Sequence, residues 1–198
     1  QASAQALHHC RHRQVFDTYL NQQPLMQNVL DDLALESEAA LAFTLRIARA
    51  LDSQADDHER LLSRLATPVG KYWICKRAPN HAYEAMECLG GNGVMEDCIM
   101  PRLLRESPVN AIWEGSGNVQ CLDTLRALNK EPDTLTAFFA EVAEARGADR
   151  RFDRFVTQLQ NDFADVTHLE YRARNLVDRL ALSLQASLLI RNSDPVVA

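Results

Sequence analysis

The sequence predicts an all-α fold, and three observations support this. Ala, Leu, Glu, Gln and Arg, which favour helices, dominate the composition, whereas Gly and Pro, with seven residues each, are few for an all-β chain. Apolar residues recur at alternating spacings of four and three over long stretches. No strand pattern of convincing length accompanies them. With 198 residues, 46% of them hydrophobic, the chain can bury a sizeable core.

The first segment, residues 2–13, has the pattern of the last turns of a helix with a basic end. Residues 14–24 then predict a loop that carries one large apolar side chain, Phe16. His8 and His12 lie four residues apart and could share a metal ion, but no third ligand with suitable spacing follows. We therefore interpret the histidines as part of a solvated basic face and expect no metal site.

Two long helical patterns come next. Residues 25–52 form the clearest helix, and their apolar spacing is typical of a bundle seam. After a polar turn at 52–57, helical spacing resumes through Met86, although Pro68 is expected to kink or restart this helix, and Pro79 permits another start. A glycine cluster at residues 90–93 can adopt the left-handed geometry that ends helices.

The remaining chain predicts shorter helices and a tail. Residues 100–105 form a short helix that Pro108 is expected to break, and another helix follows at 119–128. Residues 129–133 are the best candidate linker. Beyond it, three helical patterns share an apolar face of their own, at 135–145, 151–163 and 166–190. We therefore expect a helical bundle over residues 1–130, incomplete at its N-terminus, and an extra helical domain over 131–198.

The stretch that indicates chemistry is the glycine-rich turn around Glu114. Because Ile112 and Trp113 precede this carboxylate, we expect it to be partly desolvated, with a pKa raised toward the range of a general base. Ser116 and Asn118 can cap the helix that follows, whose first N–H groups could hold a ligand oxygen. The alternative is a solvated charge that complements the helix dipole, and the turn alone leaves it open.

Charge and cysteine content limit the class of protein. A formal net charge of −6 argues against a generic nucleic-acid binder, although a local basic face is compatible with it. The five cysteines are dispersed and lack metal-ligand spacing, which indicates reduced thiols in a cytoplasmic protein. No signal peptide or long apolar run predicts a membrane span. The chain opens without Met in a helical pattern, so we expect it to be a piece of a longer protein.

Three motifs follow one another in a specific order, namely Arg13-Gln14-Val15-Phe16, then Glu87-Cys88-Leu89-Gly90-Gly91-Asn92-Gly93, then Pro101-Arg102-Leu103-Leu104-Arg105-Glu106 leading to Trp113-Glu114-Gly115-Ser116. Together they resemble the C-terminal helical domain of acyl-CoA dehydrogenases, a four-helix bundle. Three further features look like the AidB branch, bacterial flavoproteins of the response to DNA alkylation. They are the residue sequence of the glycine-rich turn, the stretch 74–77 and the extra helices after residue 130. The resemblance covers residues 1–130 strongly and the tail more loosely.

The resemblance implies an FAD cofactor whose adenylate end reaches a neighbouring subunit, and hence a homo-oligomer, either a dimer or a tetramer. Arg13 and Phe16 would contact the FAD of the partner subunit, and the segment Glu87–Gly91 would lie along its phosphates and adenosine. Ser116 and Asn118 would hold the flavin of their own subunit. The Arg13 motif departs from the family pattern at the next position, because Asp17 stands where the family usually has Gly.

The resemblance also assigns chemistry to Glu114, which occupies the position of the base in the short- and medium-chain branches. It would remove the proton alpha to the thioester carbonyl of an acyl-CoA while the beta hydride passes to FAD. The Glu114 N–H and a flavin hydroxyl would stabilise the enolate charge. A second departure is Glu87, where the family has Gln, because a carboxylate beside a pyrophosphate is unfavourable unless a cation such as Arg13 offsets it.

Two other functions compete with a dehydrogenase. One is a double-stranded DNA-binding protein of the alkylation response with vestigial dehydrogenase activity, for which Arg126 and Lys130 are candidate contacts. Residues 131–198 hold eight Arg or Lys against eleven Asp or Glu, the opposite of a strong nonspecific DNA binder. Local basic clusters remain, namely Arg146-Arg150-Arg151-Arg154 and Arg172-Arg174-Arg179. The alternative interpretation of these clusters is helix faces of alternating charge. The other competing function is that of a purely structural helical module, and by itself the chain is expected to be inactive.

Overall fold

The computed structural model describes residues 1–52, 56–194 and 196–197. These residues form eight α-helices and one very short hairpin, so the all-α expectation is confirmed. Residues 53–55 of the predicted polar turn lie outside the described residues. The helices are α1 (Ala2–His12), α2 (Pro24–Asp52), α3 (Asp57–Glu87), α4 (Met100–Asn110), α5 (Gly117–Lys130), α6 (Asp133–Ala143), α7 (Arg150–Ala164) and α8 (Leu169–Asn192).

The segment predicted as a loop after α1 contains a two-stranded hairpin. Strands β1 (Gln14–Val15) and β2 (Thr18–Tyr19) pair antiparallel, and a 3-10 turn follows at Leu20–Gln22. Phe16 and Asp17 form the two-residue turn with φ of 52° and 63°, as a type I′ turn requires. Two residues per strand are too few to produce a readable alternation, which is why the sequence did not predict the hairpin.

Three prolines lie beyond the first turn of their helices. Pro68 and Pro79 lie within one continuous α3, so neither marks a restart, and the kink expected as the alternative at Pro68 stays a prediction. Pro108 lies within α4, which continues to Asn110, so the predicted break there is wrong as well. A proline removes one hydrogen bond of the helix, and packing of neighbouring residues can offset that loss. Around Pro68 this packing is provided by Ala66 and Val69, which are both buried.

The chain divides into two compact units. The first unit comprises Gln1–Glu38 and Cys75–Trp113, and the second comprises Ala39–Ile74 and Glu114–Ala198. The core of the first unit lies where the N-terminal part of α2 and the C-terminal part of α3 meet α1 and α4. Its buried residues are Ala6, Cys10, Leu33, Ala85, Met86, Cys88, Leu89 and Met100.

The second unit is built around α8, which packs against α5, α6 and α7. Phe43 and Leu65 share this core with tail residues such as Phe138, Leu159 and Leu180, all of them fully buried. The predicted tail helices are therefore confirmed within a few residues, and they bury their apolar face against α5 and the residues of 39–74. The division at residue 130, which this grouping in space does not follow, stays a prediction about domains.

A buried ionic network crosses the second unit. Arg46 on α2 lies 2.7 Å from Glu59 on α3 and 2.7 Å from Glu141 on α6. Arg191 on α8 lies 2.6 Å from the other oxygen of Glu141 and also pairs with Glu144. Four helices are thus joined by one set of charges. Among the helices that the structure describes, none combines the length and the apolar character needed to cross a bilayer.

Candidate functional site

Glu114 lies on a turn between α4 and α5 in an uncommon backbone conformation. Its φ is 56° and that of Gly115 is 97°, so two consecutive residues occupy the left-handed region. A side-chain-bearing residue is uncommon there and is often found at functional sites, where surrounding contacts hold it. The local fold therefore presents this carboxylate on a constrained turn.

Gln120, in the first turns of α5, holds this turn. Its Nε2 donates to the carbonyl oxygen of Glu114 at 2.9 Å and to that of Gly115 at 3.2 Å. The φ of Gly115 favours glycine, and a Cβ atom there would lie 2.6 Å from the same Nε2, so a side chain at this position would push the amide away. The sequence reasoning did not identify Gln120. A glutamine shortly after a glycine-rich turn is the signal that could have indicated it.

The side chain of Glu114 is exposed, so the expected desolvation is wrong for this chain. Ile112 and Trp113 are themselves 65% and 59% exposed. Apolar neighbours in sequence desolvate a carboxylate only when the fold buries them together, and this turn leaves each of them accessible. The first residues of the motif therefore form an exposed apolar segment that leads into an exposed carboxylate.

Ser116 and Asn118 lie at the start of α5. Ser116 is the N-cap by its extended backbone, and its carbonyl oxygen accepts from the Gln120 N–H at 3.0 Å. Its hydroxyl caps no helix N–H among the described residues, so the predicted capping by side chains is not seen at this position. Asn118 follows in the first turn and is exposed. The predicted flavin contacts of both residues stay predictions.

A separate cavity of about 460 Å³ lies in the first unit and brings together three of the predicted cofactor residues. Arg13, at the end of α1, faces Glu87, the last residue of α3, and the segment after α3 that contains Gly91. Phe16 is not among the residues that line the cavity. It lies at the hairpin turn, where it is 87% exposed. The lining residues are His9, Arg13, Val15, Leu20, Met26, Glu87, Cys88, Leu89, Gly90, Gly91 and Asn92.

The charges around this cavity are unequally compensated. Arg13 pairs with no carboxylate within the described ranges. The pKa of His9 is lowered mainly by the partial burial of His9 itself and further by the positive charge of Arg13. Glu87 is exposed and interacts with Tyr83, whose pKa is raised mainly by a hydrogen bond to this carboxylate. The cavity therefore offers an anion one guanidinium, opposed by one carboxylate.

The glycines beside the cavity differ in what they require. Gly93 is buried, and a Cβ there would lie 2.4 Å from the carbonyl oxygen of Met86, so packing demands glycine. Gly90 has φ of 57°, which favours glycine by conformation. At Gly91 a Cβ would meet no atom within 4 Å. Packing within this chain therefore gives no reason for glycine at position 91.

The basic residues of α5 are partly compensated. Arg126 lies 3.3 Å from Asp123, which also binds Arg64 at 2.8 Å, while Lys130 is exposed at the end of the helix. Neither residue lines the Arg13 cavity. Arg126 is still 62% exposed, so one weak ion pair does not remove it from the surface.

The two arginine clusters of the tail behave differently. Arg172 and Arg179 pair with Asp165 and Asp162, and Arg174 donates to Tyr72 at 3.3 Å. That cluster therefore serves contacts within the fold. In the other cluster Arg151 pairs with Asp149 at 3.0 Å. Its remaining members are exposed and form no ion pair with a carboxylate of the described chain, namely Arg146, Arg150 and Arg154.

His8 and His12 lie on one face of α1. The Nδ1 atom of His12 lies 2.8 Å from the carbonyl oxygen of His8, and the ring centroids are 4.5 Å apart. In the part of the chain that the structure describes, no group of three or more His, Cys, Asp or Glu side chains is arranged to hold a metal ion.

Sequence comparison relates the chain to known proteins. A family model described as "Acyl-CoA dehydrogenase, C-terminal domain" matches residues 1–129. AidB of Escherichia coli (strain K12) is 42% identical over 198 residues, which are 100% of this chain and 36% of that protein. Acyl-CoA dehydrogenase family member 11 of Caenorhabditis elegans is 34% identical over 145 residues, 71% of this chain and 24% of that protein. The similarity to AidB thus extends through the tail, beyond the family model.

Solved structures agree with this relation. Caenorhabditis elegans ACDH-11 in complex with C11-CoA superposes with a TM-score of 0.88 at 28% identity, covering 100% of this chain and 37% of that one. An acyl-CoA dehydrogenase from Bacillus anthracis, at 19% identity and a TM-score of 0.65, shares the fold over 96% of this chain and 37% of that one. The chain spans about a third of the length of AidB. It belongs to the acyl-CoA dehydrogenase family, is AidB-like over its whole length, and contains the family's C-terminal domain.

Proposed function

We propose that this chain is the helical part of an FAD-dependent acyl-CoA dehydrogenase of the AidB type, in which Glu114 is the base that removes the alpha proton. The observation that carries the proposal is the conformation of Glu114, an exposed carboxylate in the left-handed region, held by Gln120 through its own carbonyl. Such constraint supports a functional carboxylate over an ordinary charge in a first helical turn. The proposal concerns the full-length protein.

The reaction would transfer one proton and one hydride. The Glu114 carboxylate would take a proton from the alpha carbon of an acyl-CoA, and the backbone N–H of Glu114 would donate to the thioester carbonyl. Bound FAD would supply the acceptor for the hydride that leaves the beta carbon. The product would then carry a double bond between the alpha and beta carbons. A correctly positioned base of this kind contributes about 10²–10⁴-fold to the rate.

The base needs a drier environment than this chain alone gives it. Ile112 and Trp113 are exposed apolar side chains immediately before Glu114. We infer that acyl-CoA and the other domains of the full-length protein cover this apolar segment and exclude water from the carboxylate. Ser116 and Asn118 begin the helix that follows, and their side-chain groups are suited to hold the flavin of the same subunit.

The cavity at Arg13 fits the adenylate part of a second FAD. Its volume of about 460 Å³, its uncompensated guanidinium and the open space at Gly91 all suit a phosphate-bearing ligand. Phe16, 87% exposed at the hairpin turn, is accessible to such a ligand. The residues present therefore fit the group, with Glu87 as the one opposing charge. If this FAD belongs to a neighbouring subunit, the protein is a homo-oligomer.

The substrate class in this proposal is acyl-CoA, because ACDH-11, which superposes over the whole chain, was solved with C11-CoA. None of the five cysteines, all of which lie in the described ranges, forms a disulfide, which supports a reducing, cytoplasmic location. The test is the optical spectrum of the full-length protein, titrated anaerobically with acyl-CoAs of graded chain length. We expect a flavin spectrum that at least one of them bleaches. A flavin that resists all of them would contradict the dehydrogenase proposal.

A second candidate function is binding of double-stranded DNA, with the dehydrogenase activity vestigial. The observation that favours it is the exposed set Arg146, Arg150 and Arg154, which lacks ion-pair partners among the described carboxylates. Arg126 and Lys130 remain candidate contacts on α5. Each lost phosphate contact makes the negative slope of log affinity against log salt shallower by about one unit.

The DNA proposal is tested on the full-length protein with two double variants, Arg126→Gln with Lys130→Gln, and Arg150→Gln with Arg154→Gln. We expect each pair to weaken duplex binding equally for unrelated sequences and to flatten the salt dependence. Arg105→Gln is the control, because Arg105 pairs with Glu96 at 2.7 Å on the first unit and should leave the slope unchanged. If the full-length protein shows no salt-dependent duplex binding near physiological ionic strength, the DNA proposal fails and the dehydrogenase proposal alone stands.

A further inference from the structure

We propose that Gln120 is a positioning residue that sets the direction of the Glu114 carboxylate. This inference rests on the proposed role of Glu114 as the base and extends it to a residue in α5. The side-chain amide of Gln120 donates to two successive carbonyl oxygens, at 2.9 Å to Glu114 and at 3.2 Å to Gly115.

The number of donors matches the number of acceptors. A glutamine amide has two N–H groups on one nitrogen, so Nε2 can serve both carbonyls at once. The carbonyl of Glu114 belongs to the peptide unit that joins it to Gly115. Holding that oxygen therefore fixes the rotation about the Cα–C bond of Glu114 and, with it, the direction of its side chain relative to α5.

The conformation of Glu114 needs such a restraint. At φ of 56° the residue occupies a sparsely populated region, which persists when the surroundings over-determine it. The Gln120 side chain is half-buried, and its own backbone is fixed in α5, where its carbonyl accepts from the Thr124 hydroxyl at 3.0 Å. The restraint is thus anchored in a regular helix, which is more rigid than the turn it holds.

Gly115 is adapted to the same contact. A Cβ atom at this position would lie 2.6 Å from Nε2 of Gln120 and 3.2 Å from Cγ1 of Val119. Any side chain here would displace the amide from the two carbonyls. Gly115 therefore leaves open the space that the Gln120 amide occupies.

The alternative is a purely structural role, in which Gln120 only stabilises the start of α5. Among the described residues, the Ser116 side chain does not cap that start, so a contact from Gln120 could stabilise it instead. The two roles differ in what they affect. A structural role lowers stability and flavin content, whereas a positioning role lowers the rate of proton removal in molecules that still hold flavin and substrate. A displacement of about 1 Å costs on the order of 10²-fold in rate.

The test uses the full-length protein and an acyl-CoA that bleaches the parent's flavin. Gln120→Met and Gln120→Glu remove both donors at similar size, whereas Gln120→Lys keeps donors on a flexible stem. Gln158→Met is the matched control, because Gln158 is an exposed glutamine of α7. Rapid-mixing absorbance at saturating acyl-CoA, normalised to bound flavin, gives the reduction rate, and the substrate dependence gives the apparent affinity.

We expect Gln120→Met and Gln120→Glu to lower the saturating reduction rate by about 10–100-fold, with the half-saturating acyl-CoA concentration within about threefold of the parent. Gln120→Lys should recover part of the rate, and the control should match the parent. Parent-like rates per bound flavin in Gln120→Met, or an equal loss in all three variants regardless of donors, would overturn the inference.

Glu114→Gln, measured in the same way, separates this inference from the proposed function. If Glu114→Gln reduces its flavin at the parent's rate, the assignment of the base fails, and the role of Gln120 fails with it. If Glu114→Gln is inactive while the Gln120 variants match the parent, the base stands and only the positioning role is wrong.

Discussion

Arg46 on α2 donates to Glu141 on α6 across 2.7 Å, and the two side chains are only 9% and 5% exposed. Arg191 on α8 lies 2.6 Å from the other carboxylate oxygen of Glu141. One buried carboxylate thus balances two guanidinium groups from two other helices. The pairing of Arg46 with Glu141 joins a tail helix to a residue 95 positions earlier in the chain.

We expect Glu141→Gln to lower the free energy of unfolding by about 1–3 kcal/mol, because two guanidinium groups lose their shared counter-charge, although Arg46 keeps Glu59 and Arg191 keeps Glu144. Glu144→Gln is the control, since Glu144 also pairs with Arg191 but is 58% exposed, and it should cost less than about 1 kcal/mol. Urea unfolding followed by circular dichroism measures both. Equal losses in the two variants would show that burial of Glu141 does not govern the effect.

The same carboxylate predicts a dependence of stability on pH. Burial alone would raise the pKa of Glu141, but the hydrogen bonds from Arg46 and Arg191 outweigh it and lower the pKa from 4.5 to about 2. The unfolded chain therefore binds this proton more readily than the folded chain, and the free energy of unfolding should fall as the pH drops from about 4.5 to about 2. In Glu141→Gln this part of the fall should be absent. A variant with the parent's slope over that range would contradict the assignment.

We expect Glu114→Gln in the full-length protein to keep its flavin and to lose about 10²–10⁴-fold in the rate of flavin reduction by acyl-CoA. An amide preserves the size of the side chain and cannot accept the proton. Glu170→Gln is the control, because Glu170 is an exposed carboxylate at the start of α8. An unchanged rate in Glu114→Gln would remove this residue from the mechanism.

Glu87→Gln should tighten FAD binding by several-fold to tenfold, because it removes the negative charge opposite Arg13 in the cavity. Arg13→Gln should weaken binding by a similar factor. Glu84→Gln, an exposed carboxylate of α3 that does not line this cavity, should leave the affinity unchanged. Titration of FAD into the flavin-free full-length protein measures all three. Weaker binding in Glu87→Gln would argue that Glu87 serves the ligand through a hydrogen bond.

Much of the fold could be predicted from the sequence because helices are local structures. The spacing of apolar residues located α2 and all three tail helices within a few residues. Prolines were the exception, since Pro68 and Pro79 lie inside one continuous α3. A proline costs a helix one hydrogen bond, and the sequence alone does not reveal the packing that offsets this loss.

The candidate site was predicted unevenly. The motif order identified Arg13, Glu87 and Gly91, and the structure brings these three around one cavity. The expected burial of Glu114 was wrong, because exposure depends on what the fold places over a side chain. Gln120 was missed for a related reason. Its amide reaches back across the turn to Glu114, and this contact depends on the left-handed conformation of the turn, which exists only in the folded chain.

The sequence by itself therefore determined the helices and the family, since both are written in local spacing and in ordered motifs. The tertiary structure decided that residues 131–198 share a core with α5 and the residues of 39–74. It also decided which charges are buried, as at Glu141, and which remain exposed, as at Glu114. The physical reason is that burial and hydrogen bonding across helices depend on atoms far apart in the chain, whose proximity exists only after folding.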